Sequence, residues 1–393
     1  MSIILVIVGI LMFMLLILSH ERGHMQAAKK TGVKVNEFGI GLPPRICKLW
    51  TGKDGTEYTL NAIPLGGFCA IKGEDPTNTT DFFAKDGLAM AKLWKKMIII
   101  LGGVTMNIIV AWLLFTILFW HGSQPLGVTA DETSQSYLVP SISFLQKEGF
   151  ISGGIKSGVK IQEVLPNSFA ESINLQPETI IYAINDIPVM SDTFITTLTS
   201  FANQDIVFDL GGDPGFDLRF TCPDPCKLGA VISPNADYKI KDIKFGLKGA
   251  MLAGLHEIGS EWSLTFKVFG KLGKNFFSFE KDKMKEATDA LAGPVGAIKM
   301  GELFYQQGGR IAYLAFAGMI SLALAIFNLL PIPALDGGRG IGMILQSTFH
   351  IKPEKYAKGE SYVNAAFFYL FLLVGVLIIL KDLVVYRGLP LPF

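Results

Sequence analysis

The residues best equipped for chemistry stand at the end of the first apolar run: His20, Glu21, Arg22, Gly23 and His24, an H-E-x-x-H pattern. On a helix, positions i and i+4 share a face, so His20 and His24 can offer imidazole nitrogens to one metal ion. Glu21 stands beside the first of them, where a carboxylate can take a proton from an attacking water and give one to a leaving amine. Five letters alone also fit a surface or capping role. Their setting argues otherwise, because a charged group at mid-membrane costs of order 2.5–3.5 kcal/mol, less near the edge, and such groups are usually functional. Arg22 turns about 200° from residue 20 on a helical wheel, away from the histidine face, and can reach the interface by snorkelling.

A catalytic zinc wants a third protein ligand. The chain has five histidines. By the span assignment below, His121 falls at the far end of the second apolar run and His256 outside, while His350 falls on the correct side but in a loop. Asp336 in "NLLPIPALDGGRG" is the better candidate, as the sole acidic residue between 311 and 353. Pro331, Pro333, Gly337 and Gly338 break any helix there, and irregular backbone at membrane depth is tolerated only against protein or a wet cavity. A solvent-exposed helix cap outside the membrane is the alternative reading of the same carboxylate.

These groups need elements to carry them. The chain has 393 residues, half of them hydrophobic, and its positive mean hydropathy of +0.41 argues against an ordinary soluble enzyme. A net charge of +1 without a basic tract gives no reason to expect a nucleic-acid partner. Spans fit residues 2–19, 97–120, 311–335 and 365–380. The first run has neither the positive start nor the small-residue site of a cleaved signal peptide, and reads as a retained helix. Twelve Lys and Arg between 21 and 96 place that loop in the cytoplasm. Both termini and the 121–310 segment then lie outside, and the 336–364 loop inside.

Residues 157–220 alternate in short β-like runs separated by turn residues. "PNSFAESINLQPETIIYAINDIPV" resembles a PDZ domain, with Asn174 able to take the left-handed conformation where that family usually has Gly. Residues 253–290 read as an amphipathic helix along the outer membrane face. Cys222 and Cys226 are close enough to pair, and two unpaired thiols are the plainer alternative. Four regions result: 1–120 with the first two spans, 121–250 as the PDZ domain, 251–310 as a juxtamembrane stretch, and 311–393 with the last two spans. The expected fold is thus a polytopic α-helical membrane protein of four spans with an inserted extracytoplasmic PDZ domain.

The order of these motifs resembles the site-2 protease family of intramembrane zinc metalloproteases, peptidase family M50, in its bacterial form with one PDZ domain. "FGIGLPPRI" (38–46) is similar to the family's segment after the active-site helix. "NAIPLGGFCAIKGED" (61–75) is similar to its re-entrant β-hairpin, and "AGPVGA" (292–297) to its patch before the third span. The resemblance implies that His20, His24 and Asp336 hold Zn2+ and that Glu21 is the catalytic base. It also implies that Asn328 and the 63–73 loop, including Gly66, Gly67 and Phe68, position the substrate. Asn107 joins that group from "GGVTMN", which keeps Gly103 and Asn107 of a second-span pattern but has Val104 for Pro. Arg22 and Arg339 also depart from common family residues.

A membrane helix must be unwound before its carbonyls can be attacked. "IPLGGFCAI" alternates enough to offer a strand edge, with Gly66 and Gly67 at a turn, and a substrate could add to that edge. The expected substrates are single-pass membrane proteins, such as an anti-sigma factor, in the bacterial inner membrane after a first cut has removed the ectodomain. The PDZ domain would exclude large ectodomains or bind a partner's C-terminus. A metal carrier and an inactive PDZ scaffold are the competing readings.

Overall fold

The computed structural model describes residues 3–386 except 76, 130, 167, 192, 212–216, 224–225, 277 and 279–293. Residues 292–293 of "AGPVGA" and part of the 251–310 stretch therefore lie outside the described residues. The chain divides into two compact units. One comprises residues 1–126, 136–138 and 244–393, and the other 127–135 and 139–243.

The first unit carries the helices. α1 (Ile3–Thr31) continues well past the apolar run that announces it, so the H-E-x-x-H pattern lies inside the helix rather than at its end. It stops where Gly32 takes φ +78° and Val33 N–H donates to Ala28 O at 2.9 Å, a glycine-terminated C-cap. A bent hairpin follows, β1 (Val35–Thr51) and β2 (Glu57–Ile71), then a short α2 (Thr79–Phe82) and the apolar α3 (Leu93–His121). The hairpin turns at 52–56, where Gly55 has φ +81° and Gly52 N–H donates to Thr56 O at 2.8 Å. Gly66 and Gly67 are therefore not at the turn. They lie within β2, where Gly66 at φ +93° bends the strand. The residues 37–40 of β1 are flanked on one side by 57–60 and on the other by 67–70. The 67–71 segment is thus an outer edge of this sheet among the described residues.

The second unit begins with α4 (Ile142–Lys147) and β3 (Ile151–Val164). Then come α5 (Phe169–Ser172), β4 (Ile180–Ile181), β5 (Ala183–Ile184) and β6 (Ile187–Pro188). It ends with α6 (Phe194–Ser200), β7 (Asp205–Asp209), β8 (Leu218–Thr221) and β9 (Ala230–Ile240). The strands form two sheets, ordered β4-β3-β9 and β6-β5-β7-β8. Their apolar faces enclose one core including Ile161, Ile181, Phe194, Ile206 and Phe208. Asn174 takes φ +54°, as the turn after α5 demands. Cys222 and Cys226 form a disulfide inside this core.

The chain returns to the first unit through α7 (Leu247–Phe276) and α8 (Pro294–Leu329), the latter kinked at Gly308–Gly309. α9 (Asp336–Thr348) and α10 (Pro353–Tyr386) complete it. Four stretches are long and apolar enough to cross a membrane: Val6–Thr31, Leu93–His121, Gly308–Leu329 and Pro353–Lys381. The third ends at Leu329 instead of 335, because Pro331 and Pro333 cannot continue it. The fourth begins at Pro353 rather than 365. Four such helices with several small sheets make a polytopic helical membrane protein.

α7 covers the described part of the stretch read as an amphipathic helix, and one of its faces packs on other helices. It packs along α3, with Trp112 Nε1 donating to Met251 O at 2.9 Å and Gly254 packed against Thr116. Farther on, Phe269 meets Phe327 of α8 with ring centroids 5.2 Å apart. Its acidic residues are buried. Glu257 accepts from Ser136 Oγ at 2.6 Å and from the Tyr137 N–H at 2.7 Å, and Glu261 hydrogen-bonds it from one turn on. Burial, and then the neighbouring Glu261 carboxylate, push Glu257 up to about 8.

Two expectations follow from this packing. A Cβ on Gly23 would lie 2.2 Å from Gly102 O, so Gly23→Ala must separate α1 from α3. It should cost about 1–3 kcal/mol, read as a lower melting temperature of the protein in detergent. For the acid pair, the unfolded chain ionises near the ordinary carboxylate value while the folded chain holds its proton to about 8. Stability is therefore lost as pH rises across that window. Melting temperatures should fall between about pH 5 and pH 8, and Glu261→Gln should flatten the slope. An unchanged slope in that variant would remove the pair as its source.

Candidate metal centre

α1 presents His20 and His24 on one face, rings edge to face with centroids 4.7 Å apart. Their floor is Gly103 of α3. A Cβ there would sit 2.4 Å from His24 Nε2 and 2.6 Å from His20 Cε1, so only glycine lets α3 approach this closely. His24 Nδ1 lies 2.8 Å from the Ile99 carbonyl. A carbonyl only accepts, so Nδ1 carries the proton and Nε2 keeps its lone pair. That nitrogen lies 3.1 Å from His20 Nε2.

Asp336 reaches this point because α8 ends early. The turn after it places Ala334 at φ +70°, a conformation costing roughly 1–2 kcal/mol for a residue with a Cβ. The Asn364 side chain of α10 holds it, accepting the Ala334 N–H at 2.9 Å. α9 then doubles back so tightly that a Cβ on Gly337 would lie 2.3 Å from Leu329 O, and one on Gly338 2.2 Å from Ile332 O. The reversal brings Asp336 Oδ2 to 3.1 Å from His20 Nε2 and 3.3 Å from His24 Nε2.

Three potential ligand atoms thus face one another, the one such cluster among the described residues. Tetrahedral ligands at about 2.0–2.1 Å from zinc stand about 3.3 Å apart, which these separations match. Asp336 Oδ2 is buried without a hydrogen-bond partner, an oxygen left for a cation. A donor set of two imidazoles and one carboxylate suits zinc.

The centre opens on a cavity of about 450 Å³. Glu21, Phe68 and Asn328 line it, and the Asn328 amide donates to Leu324 O at 2.9 Å. Gly66 and Gly67 pack against Ile17 and Leu18 of α1, bringing Phe68 to the site. Asn107 is placed differently from expectation. It is fully buried, with its carboxamide 3.4 Å from His20 Nδ1, its Oδ1 accepting from Ser19 Oγ at 3.3 Å and its carbonyl from Ser321 Oγ at 2.9 Å. It stands behind a histidine rather than against a substrate. Arg22 is exposed, as its position on the wheel requires.

Arg339, read from sequence only as a departure, lines the cavity too. It pairs with Glu74 at 2.7 Å and with Glu360 of α10 at 3.5 Å. Sequence reasoning also missed the Ile99 carbonyl and Asn364. Two signals for them were available: the "GG" at 102–103 within an apolar run, and a lone Asn in the last span. Gly103→Ala should push its methyl into the imidazoles and lower bound metal per folded protein by about tenfold or more, measured by elemental analysis of purified protein. Full metal content in that variant would contradict the packing.

Residues 8–373 match peptidase family M50. A Nostoc sp. relative is 28% identical over 398 residues, covering 96% of this chain and 95% of its own. One from Helicobacter pylori is 30% identical over 362 residues, covering 88% and 90%. Both bear the name "Putative zinc metalloprotease". "Membrane metalloprotease ARASP, chloroplastic" of Arabidopsis thaliana is 26% identical over 380 residues, covering 93% of this chain and 76% of its own. Matched over nearly its whole length, with four apolar helices around an H-E-x-x-H cluster, the chain belongs to peptidase family M50 and is a multi-pass membrane metalloprotease.

Proposed function

We propose that this protein is an intramembrane zinc endopeptidase that cuts the transmembrane segments of single-pass regulatory proteins. The observation that carries the reading is the meeting of His20, His24 and Asp336 beside Glu21 in a cavity enclosed by apolar helices. His20 Nε2, His24 Nε2 and Asp336 Oδ2 are the zinc ligands. The Ile99 carbonyl orients His24. The Asn107 carboxamide, whose nitrogen lies 3.4 Å from His20 Nδ1, braces the ring of His20 from behind. Bound zinc supplies Lewis acidity toward the scissile carbonyl. Glu21 takes the proton from the attacking water and delivers it to the departing amine.

The substrate must present its backbone extended. The free outer edge of β2 at 67–71 supports strand addition, with Phe68 turned to the cavity and Asn328 on its other side. The Cys222–Cys226 disulfide supports an extracytoplasmic second unit, read as PDZ-like, while Cys47 and Cys69 of the hairpin are free thiols. The active site then lies toward the cytoplasmic side of the inner membrane. A domain there would exclude substrates with bulky ectodomains, so this enzyme acts after a first cut, on anti-sigma-factor-like proteins among others.

Glu21→Gln keeps the ligands and removes the base. With a single-pass model substrate in vesicles or detergent, it should retain zinc and lose cleavage by at least 10²-fold. Undiminished cleavage by that variant would overturn the assignment. Proline substitution at Phe68 should slow cleavage of an intact transmembrane substrate more than cleavage of a short unstructured peptide. Equal effects would remove the strand-addition step.

A further inference from the structure

α10 is a poorly anchored helix. Much of its span is exposed, with Phe368, Tyr369, Leu372, Leu373, Leu377 and Leu380 presenting apolar surface outward. In lipid, apolar faces of this kind have no hydrophobic reason to choose one packing over another, and polar contacts and close fit decide. The Tyr356 hydroxyl closes on Gly342 of α9 near the start of the helix. Farther in, two polar side chains one turn apart reach the same stretch of chain. Asn364 accepts the Ala334 N–H at 2.9 Å, two residues before Asp336. Glu360 pairs at 3.5 Å with Arg339, three residues after it. Arg339 extends the tie to Glu74, just beyond β2, at 2.7 Å.

Polar groups within a membrane span are costly and need a task. Asn364 secures a backbone group that the left-handed Ala334 turn would otherwise leave unpaired. Glu360 restrains the first turn of α9. Together they fix the carboxylate-bearing turn from both sides, while the histidines are fixed independently by α3. We propose that Asn364 and Glu360 are positioning residues for the third metal ligand, holding Asp336 in register with His20 and His24 through contacts made by the last span. This rests on the metal-centre reading and goes beyond it by assigning α10 a part in metal retention.

The test uses full-length, zinc-loaded protein in detergent, with zinc transfer to a colorimetric chelator followed in time. Asn364→Leu keeps the bulk and removes the acceptor, and Asn364→Asp restores an acceptor oxygen. Glu360→Gln removes the charge pair, and Leu372→Ala is a control on the outward face. Asn364→Leu and Glu360→Gln should release zinc about tenfold faster than wild type, with Asn364→Asp and Leu372→Ala near the wild-type rate. Melting temperatures of the metal-stripped proteins should agree among the variants. Wild-type release by both Asn364→Leu and Glu360→Gln would overturn the proposal. So would faster release accompanied by an equal loss of apo-protein stability that Asn364→Asp fails to rescue, since that marks a general folding role. His24→Ala separates the underlying reading: if it retains zinc as wild type does, the metal centre is misassigned and the positioning role falls with it.

Discussion

Two helices can bring their backbones into contact only where neither interposes a side chain. In this protein that contact lies at Gly23 of α1 and Gly102 and Gly103 of α3, and much of the site is arranged from it. The approach sets the Ile99 carbonyl against His24 and the Asn107 carboxamide near His20. It also leaves no gap behind the imidazoles into which they could rotate. Lipid-facing helices gain nothing by squeezing out water between them, so van der Waals fit at small residues has to do what apolar burial does in a soluble core. The α1–α3 seam is therefore both the scaffold of the fold and the template of the donor set.

The remaining ligand comes by a different route. His20 and His24 ride on a continuous helix, whereas Asp336 is delivered by a break. Two prolines end α8, one residue takes an unfavourable backbone conformation, and two glycines let α9 double back. Broken backbone at such a depth leaves N–H groups without helical partners. Here the borrowed partner is a side chain from a neighbouring helix, Asn364. The donor set thus joins a rigid half with a half whose shape depends on what surrounds it.

Much of the site was legible from residue types. The i, i+4 spacing fixed a shared face for the histidines, and Asp336 stood out as a solitary carboxylate in a proline- and glycine-broken apolar stretch. Helix ends were not legible from hydropathy, which measures the length in lipid and not the length of the helix. Gly32 and Pro353 set the real boundaries of α1 and α10, well beyond their apolar runs. The pair Gly66–Gly67 signalled backbone freedom correctly but not its use, since positive φ serves a bend within a strand as readily as a turn between strands. The amphipathic pattern of α7 does not tell which of its charges face solvent. Two of them, Glu257 and Glu261, are instead buried against the 136–138 segment and each other, a pairing that no local pattern reveals. The second unit's strands were visible as alternating runs, and Asn174 in its turn followed from side-chain chemistry.

The distance along the chain between the two halves of the centre bears on how such a protein is made. With candidate donors at residues 20, 24 and 336, most of the polypeptide must be synthesised before the third one exists. A chain grown only past its histidines still lacks the carboxylate and the helices that seat it. The order of the sequence itself thereby defers assembly of the complete donor cluster until the helices that follow residue 336 have been made.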